Sequence, residues 1–473
     1  MDIHRMRQIR TLLFFLALFN LSFYPSLLAD DDDLPPLPKG PLLLTSVTPE
    51  QFSADYWINR LPDPDHPLKT PEELKEFNEA IPLEIKERVD IFKMDPVRRG
   101  RPIREQLELE YSTLKRRVLF DVTDGRIPES LFEQEIKPLV QPENVPDPIK
   151  MRWGAAARPT SVRALPSDVK MLEKLRDFEF DQLQFTLIKL WTPVGIFHES
   201  SDGRWFYIQA PYARGWVKAK DIAIFPDRKK LKKFSKSEHF LAVTGESLPI
   251  FRDPELKEIL LRPSMGTILP LVEPAPGNDF SAKPSQTAYS IWMPVKKSSG
   301  RSGFRRAYVD SKSDVSKGFL PYTQRSIIRQ AFKLLGARYG WGGMYNGRDC
   351  SGFTHDVFLS LGVDLPRGSK EQAFAGTQIN HFEPYEDAEG KIQAIRSAAP
   401  GVGLLRMPHH QMLYLGEING RFYAIHSTWA ERISMTSDDK NRINQVVVSD
   451  LTLNGNSYLG SLFDRIISVS EVN

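Results

Sequence analysis

The period of the hydrophobic pattern changes along the chain, and each change marks a boundary. Leu12 to Leu28 is largely apolar, broken by Asn20 and Pro25. His4, Arg5, Arg7 and Arg10 precede it; Ala29 and the acidic run Asp30 to Asp33 follow. A basic start, an apolar middle and a small residue at the end predict a secretory signal over residues 1–29, cleaved after Ala29. Left uncleaved, the stretch is at the short limit for a membrane span. Residues 34–44 are rich in Pro and Leu and predict an extended lead-in. Helix-start signatures come next. Thr48-Pro49-Glu50-Gln51 and Thr70-Pro71-Glu72-Glu73 each place Thr at a cap, Pro at the first helical position and Gln or Glu three after the cap. Leu107, Tyr111, Leu114 and Val118 mark one helix face. Residues 30–150 read as a mainly helical region that packs on the rest and stabilises it.

From about Thr160 the pattern turns to short β-like runs: Gln184 to Leu190, Gly195 to His198, Trp205 to Gln209 and Gly215 to Val217, with Asp202-Gly203 as a turn. This spacing suits a small closed barrel, placed at residues 151–230. Arg228 to Lys236 is a basic run, expected as a solvated linker. Leu241 to Thr244, Ser290 to Val295 and Arg306 to Val309 repeat the short-strand pattern. They predict a second barrel over residues 237–320, elaborated by a Pro- and Ser-containing loop at 274–287. Helical spacing returns at Ser326, with Ile327, Ile328, Ala331, Leu334 and Leu335 apolar and Gly336 as the stop. It opens a last domain over residues 321–473. The expected fold class is α+β and multidomain.

The last domain carries the candidate chemistry. Tyr339 to Gly352 is Gly-rich at first and holds Cys350; Phe353, Val357, Phe358 and Leu361 then recur at helical spacing. Cys350 therefore sits where a loop becomes a helix, with Asp349 at the cap, where free N–H groups and the helix dipole favour thiolate. Its polar, Gly-rich surroundings argue against a merely packed, buried cysteine. His409-His410 opens one strand and His426 lies in the next, around Glu417-Ile418-Asn419-Gly420. A two-residue Asn-Gly turn puts His410 and His426 on opposite faces. A three-residue loop, pairing Glu417 with Arg421, puts them on the same face. A Cys–His–His arrangement requires the second geometry.

Composition narrows the classes. At 473 residues and 41% hydrophobic, the chain buries several cores. A net charge of +3 is too small to imply nucleic acid. A single cysteine excludes an intrachain disulfide and Cys-rich metal sites, and no His-Glu-x-x-His pattern is present; no metal or cofactor is expected. In an exported protein a lone thiol is a liability unless it is used.

Tyr339-Gly-Trp341-Gly-Gly, Asp349-Cys350-Ser351-Gly352-Phe353, Leu365-Pro366-Arg367-Gly368-Ser369 and His410 through Tyr414-Leu415-Gly416 resemble the NlpC-type cell-wall cysteine peptidases, a bacterial branch of the papain-like superfamily. The resemblance spans about Tyr322 to the C-terminus, and the two barrels look like the bacterial SH3-like domains that often precede such a domain. It implies Cys350 as nucleophile, His410 as base and His426 as the orienting third member. It also implies a substrate pocket of Tyr339, Trp341, Asp349, Ser351 and Ser369, with Tyr212 closing it from the first barrel. Asp349 would hold a substrate ammonium, or serve only as a helix cap. The implied reaction is hydrolysis of γ-D-glutamyl–diamino acid bonds in peptidoglycan stem peptides or muropeptide fragments carrying a free N-terminal L-Ala. The expected setting is the periplasm or another extracytoplasmic space, as a monomer that touches the membrane only through an uncleaved signal. Amidase or acyl-transfer chemistry of the same superfamily, and a silent wall-binding protein, are the alternatives.

Overall fold

The computed structural model describes residues 40–85, 87–272, 287–296 and 302–473. The signal at 1–29, most of the lead-in and nearly all of the 274–287 loop lie outside the described residues.

Helix α1, Pro71–Glu84, begins as its sequence dictates: Thr70 Oγ1 accepts from the Glu73 N–H, and the Glu73 carboxylate accepts from the Thr70 N–H at 2.7 Å. The Thr48 box opens only a single 3-10 turn, Pro49–Phe52, because Ser53 is extended and caps a new short helix, Ala54–Ile58. Helix α2, Arg101–Lys115, buries Ile103, Leu107 and Leu114. It stops before Val118, which is exposed and does not belong to the face expected of it. The N-terminal region packs on two cores. Trp57, Ile58 and Ile81 join the core of the C-terminal domain, whereas Ile103, Leu107 and Leu114 join the core under the barrels.

The first barrel has seven strands: β1 Arg152–Ala156, β2 Thr160–Arg163, β3 Gln184–Ile188, β4 Pro193–Glu199, β5 Trp205–Ala210, β6 Ala213–Lys218 and β7 Ile222–Phe225, in the antiparallel order β3-β2-β6-β5-β4-β1-β7. The basic run is not a linker. Arg228–Ser235 is helix α3, capped by the Asp227 carboxylate on the Lys230 N–H at 2.7 Å. Leu231 is buried, and Phe234 stacks on Trp191 and Phe304 at 5.8 and 4.1 Å between ring centroids. The lysines face water while the apolar stripe wedges the barrels together. The second barrel comprises β8 Phe240–Val243, β9 Ile250–Phe251, β10 Ile259–Leu261, β11 Ile268–Pro270, β12 Ala288–Lys296, β13 Ser302–Asp310 and β14 Val315–Lys317. They form two sheets, β11-β8-β14 and β10-β9-β13-β12.

The C-terminal domain opens with α4, Gln324–Lys333. It starts two residues before Ser326, because Thr323 is the cap and its Oγ1 accepts from the Ser326 N–H. Helix α5, Cys350–Leu359, packs Phe353, Val357 and Phe358, all fully buried, against a six-stranded antiparallel sheet. The sheet comprises β15 Thr377–His381, β16 Gly403–Met407, β17 His410–Ile418, β18 Arg421–Arg432, β19 Lys440–Asp450 and β20 Ser468–Glu471, in the order β15-β20-β16-β17-β18-β19.

The β17–β18 hairpin corrects the expected loop. The turn has two residues, Asn419 and Gly420, both left-handed, and pairs Ile418 with Arg421. On its own that register would put the histidines on opposite faces. A bulge between Tyr414 and Gly416 shifts the pairing by one, so that Leu413 lies opposite Ile425. Gly416, at φ +132°, accommodates it. Beyond the bulge His410 and His426 share a face.

Candidate active site

Cys350 is the first residue of α5, and Asp349 caps the helix by accepting from the Gly352 N–H at 2.7 Å. The second Asp349 oxygen accepts from the Gly342 N–H at 2.9 Å. Arg367 completes the carboxylate with a bidentate pair, Nη1–Oδ1 2.9 Å and Nη2–Oδ2 2.7 Å. It also donates to Ser351 Oγ at 3.0 Å and, from Nε, to Thr186 Oγ1 on β3 at 2.9 Å. One guanidinium thus ties the cap, the residue after the thiol and the first barrel together. Burial pushes the Asp349 carboxyl up, but Arg367 and the two N–H groups hold it below the ordinary range. Its oxygens are filled from within the chain, so the cap reading describes Asp349 in this structure, and a substrate ammonium would have to share lone pairs already in use.

Gly342 and Gly343 explain the Gly pair. Both are left-handed, and a Cβ would meet Gln184 Cγ at 2.8 Å and Leu187 Cβ at 2.6 Å. Their loop lies flat on β3, and Gln184 donates to the Gly342 carbonyl at 2.9 Å. Beneath the loop, Lys189 and Arg348 pair with Asp356 at 2.7 and 2.8 Å, a buried charged seam between barrel and helix.

The thiol is buried, at 8% exposure, contrary to the expectation from its polar neighbours. Its Sγ lies 4.0 Å from the His409 carbonyl oxygen. Burial pushes the thiol up to about 12 and the Asp349 charge adds to the shift, so the helix dipole does not make a resting thiolate. His410, next along the strand, is buried too, and burial and Arg465 push it down to about 4. His410 Nε2 meets His426 Nδ1 at 2.8 Å, and His426 Nε2 meets Ser449 Oγ at 2.9 Å. Burial, then the neighbouring His410, hold His426 well below its ordinary value. Burial thus disfavours a charged thiolate–imidazolium pair in the resting site.

A cleft of about 1270 Å³ is lined by Cys350, Asp349, Ser351, Ser369, Tyr339 and Trp341, and by Tyr212 from the first barrel. His409, left-handed at φ +63°, faces this cleft, whereas His410 lies buried behind it. Tyr212 is held from both sides: its ring is 5.3 Å from that of His355, and the Arg88 guanidinium is 5.9 Å from its centroid. Arg88 also pairs with Asp364, and the Val89 N–H donates to the Pro211 carbonyl at 2.7 Å. The N-terminal strap after α1 thus fixes the loop that carries Tyr212.

Three groups on the cleft wall went unread in the sequence. Phe180 packs on Tyr339, Trp341 and Trp429 with centroids 6.2, 5.5 and 5.3 Å apart, forming an aromatic wall. Glu110 of α2 accepts from Gln106 Nε2 at 2.7 Å and the Tyr207 hydroxyl at 3.1 Å; burial pushes it up to about 7 despite both bonds. Arg367 lay inside the Leu-Pro-Arg block without an assigned role. Phe180 and Glu110 carry no local signal, since only the tertiary fold brings them to the cleft.

Residues 336–452 match the model of the NlpC/P60 family, and residues 171–218 match an SH3 domain of the SH3b1 type. The C-terminal domain belongs to the NlpC/P60 family. The chain is 24% identical over 235 residues to a γ-D-glutamyl-L-lysine dipeptidyl-peptidase of Bacillus cereus, covering 46% of this chain and 57% of that one. It is 34% identical over 95 residues to the Bacillus subtilis protein of the same name, covering 20% of this chain and 30% of that one. The matches thus span about half or less of the length of these curated relatives. Among solved structures, an NlpC/P60 endopeptidase from Photobacterium damselae subsp. piscicida superimposes with a TM-score of 0.71 at 17% identity, over 92% of this chain and 99% of that one. That likeness shows a shared fold that reaches well beyond the NlpC/P60 domain.

Proposed function

We propose that this chain is an exported cysteine endopeptidase that hydrolyses γ-D-glutamyl–diamino acid amide bonds in peptidoglycan stem peptides or fragments released from the wall. The observation that carries this reading is the convergence of the α5 thiol with the β17 strand that bears a buried two-histidine relay. Cys350 Sγ attacks the amide carbonyl while its proton passes to His410, whose Nε2 is engaged by His426, leaving Nδ1 as the base. N–H groups of the first turn of α5 not taken by Asp349 are available to the oxyanion. Collapse expels the amine, which takes the proton from His410. Water, deprotonated in turn by His410, then cleaves the thioester and returns free thiol and acid. Because burial pushes the thiol up and His410 down, proton transfer accompanies attack. Tyr339, Trp341, Ser351 and Ser369 form the substrate wall.

The free N-terminal L-Ala is part of the same reading. Tyr212 and the N-terminal region line the cleft, and Glu87 and Glu110 bring acidic groups to it. With the Asp349 oxygens already filled, Glu110 is the candidate carboxyl for the ammonium, which would offset the burial that pushes it up to about 7. The test compares kcat/KM for L-Ala-γ-D-Glu-diamino acid and its N-acetylated form. The free peptide is expected to be preferred by about tenfold or more, the worth of one charge-assisted hydrogen bond. Glu110→Gln should lose more of that preference than Asp349→Asn. Equal values for the unmodified enzyme would instead mean an open-cleft hydrolase of intact wall.

A further inference from the structure

The histidine relay does not end at His426. We propose that Ser449 is a positioning residue that supplies the acceptor the catalytic proton arrangement of the two histidines requires; the proposal rests on reading His410 as the base toward Cys350. On the β18–β19 pair, Ala424 lies opposite Ser449 and His426 opposite Val447, so Ser449 is the diagonal neighbour of His426 on the same face. Both side chains are fully buried, and Ser449 Oγ lies 2.9 Å from His426 Nε2.

A neutral imidazole has one N–H and one lone pair, so two rings and a hydroxyl in series allow two arrangements. In the first, His410 carries its hydrogen on Nε2 and donates to His426 Nδ1, and His426 donates from Nε2 to Ser449 Oγ. His410 Nδ1 then offers a lone pair to the thiol. In the second, Ser449 donates to His426 Nε2, His426 donates from Nδ1 to His410 Nε2, and His410 must carry its hydrogen on Nδ1, where it cannot act as a base. Only the first also suits the imidazolium that forms when His410 takes the thiol proton. That cation donates from Nε2, so His426 must accept at Nδ1 and keep its own hydrogen on Nε2. Ser449 Oγ can donate or accept, so the imidazolium decides for the first arrangement, and Ser449, as the acceptor there, stabilises the one that serves both states without reordering. Being uncharged, it does so without a carboxylate's pull on the ring. Around the pair, Arg465 presses on His410 and His410 presses on His426.

The experiment reads Cys350 alkylation by iodoacetamide as a function of pH, beside peptide turnover, for the full chain and for Ser449→Ala, Ser449→Thr and Ser449→Asp, each checked for an unchanged melting transition. Ser449→Ala is expected to lower both the alkylation rate and kcat by about tenfold, with KM little changed, because the buried Nε2–H loses its partner. Ser449→Thr, which keeps the acceptor, should recover most of the loss. Ser449→Asp should move the acid limb to higher pH. A folded Ser449→Ala that alkylates and turns over like the parent overturns the proposal, as does a loss that Ser449→Thr fails to recover. If the parent cleaves no peptide while alkylation still responds to Ser449, the relay stands and the peptidase reading fails.

Discussion

His410→Ala is expected to lower kcat/KM by about two to four orders of magnitude, the usual contribution of a general base. His409→Asn should cost much less, although His409 is the histidine that faces the cleft. Asn is the control of choice because residue 409 is left-handed at φ +63°, which Asn tolerates and most residues do not. The pH profile carries the same claim. The neutral form of His410 is the base and burial pushes it down to about 4, so activity is present above that pH and lost as pH falls through it. With the thiol pushed up to about 12, no second limb from a resting thiolate should appear between acid and neutral pH. The apparent values belong to the coupled site rather than to one residue. A larger loss at His409 than at His410, or a limb near the ordinary histidine value, would assign the base wrongly.

Arg367→Met is expected to destabilise the fold by about 3–5 kcal/mol, because it leaves the buried Asp349 carboxylate without its cation. It also unties Thr186 of the barrel from Ser351 beside the thiol. The sign with pH follows from Asp349. Its folded value is depressed, so its pairing stabilises the fold above the unfolded carboxyl range and is lost as pH falls through the folded value. Without Arg367 the Asp349 value must rise, and a protonated Asp349 needs no cation. The gap between variant and parent should therefore be widest near neutral pH and narrow in acid. Adding Asp349→Asn should recover part of the loss, a coupling that denaturant melts of the four proteins would measure. A variant as stable as its parent, or two losses that simply add, would mean that Asp349 and Arg367 are not a unit.

Much of this was legible because the decisive features are local. Thr70 with Glu73, and Asp349 before Cys350, are capping signals whose partners lie within one turn. The alternation of short runs marked four of the seven first-barrel strands to within two residues at each end, and missed the strands Arg152–Ala156, Thr160–Arg163 and Ile222–Phe225. What was misread depended on distant contacts. The register of the histidines turns on a bulge at Gly416, which the turn sequence does not encode. The basic run became α3 because Leu231 and Phe234 found an aromatic seam between two barrels. Cys350 is buried although its neighbours are polar, since Arg367 and the barrel cover the Gly-rich loop. Phe180 and Glu110 reach the cleft from other parts of the chain and have no motif to betray them.

The most direct measurement is mass analysis of L-Ala-γ-D-Glu-diamino acid after incubation with the parent protein and with Cys350→Ala. The substitution removes no disulfide or metal, so the fold should be intact. The parent is expected to release L-Ala-γ-D-Glu and the free diamino acid, and the folded variant to release neither. Cleavage by Cys350→Ala, or products cut at another bond by the parent, would contradict the account.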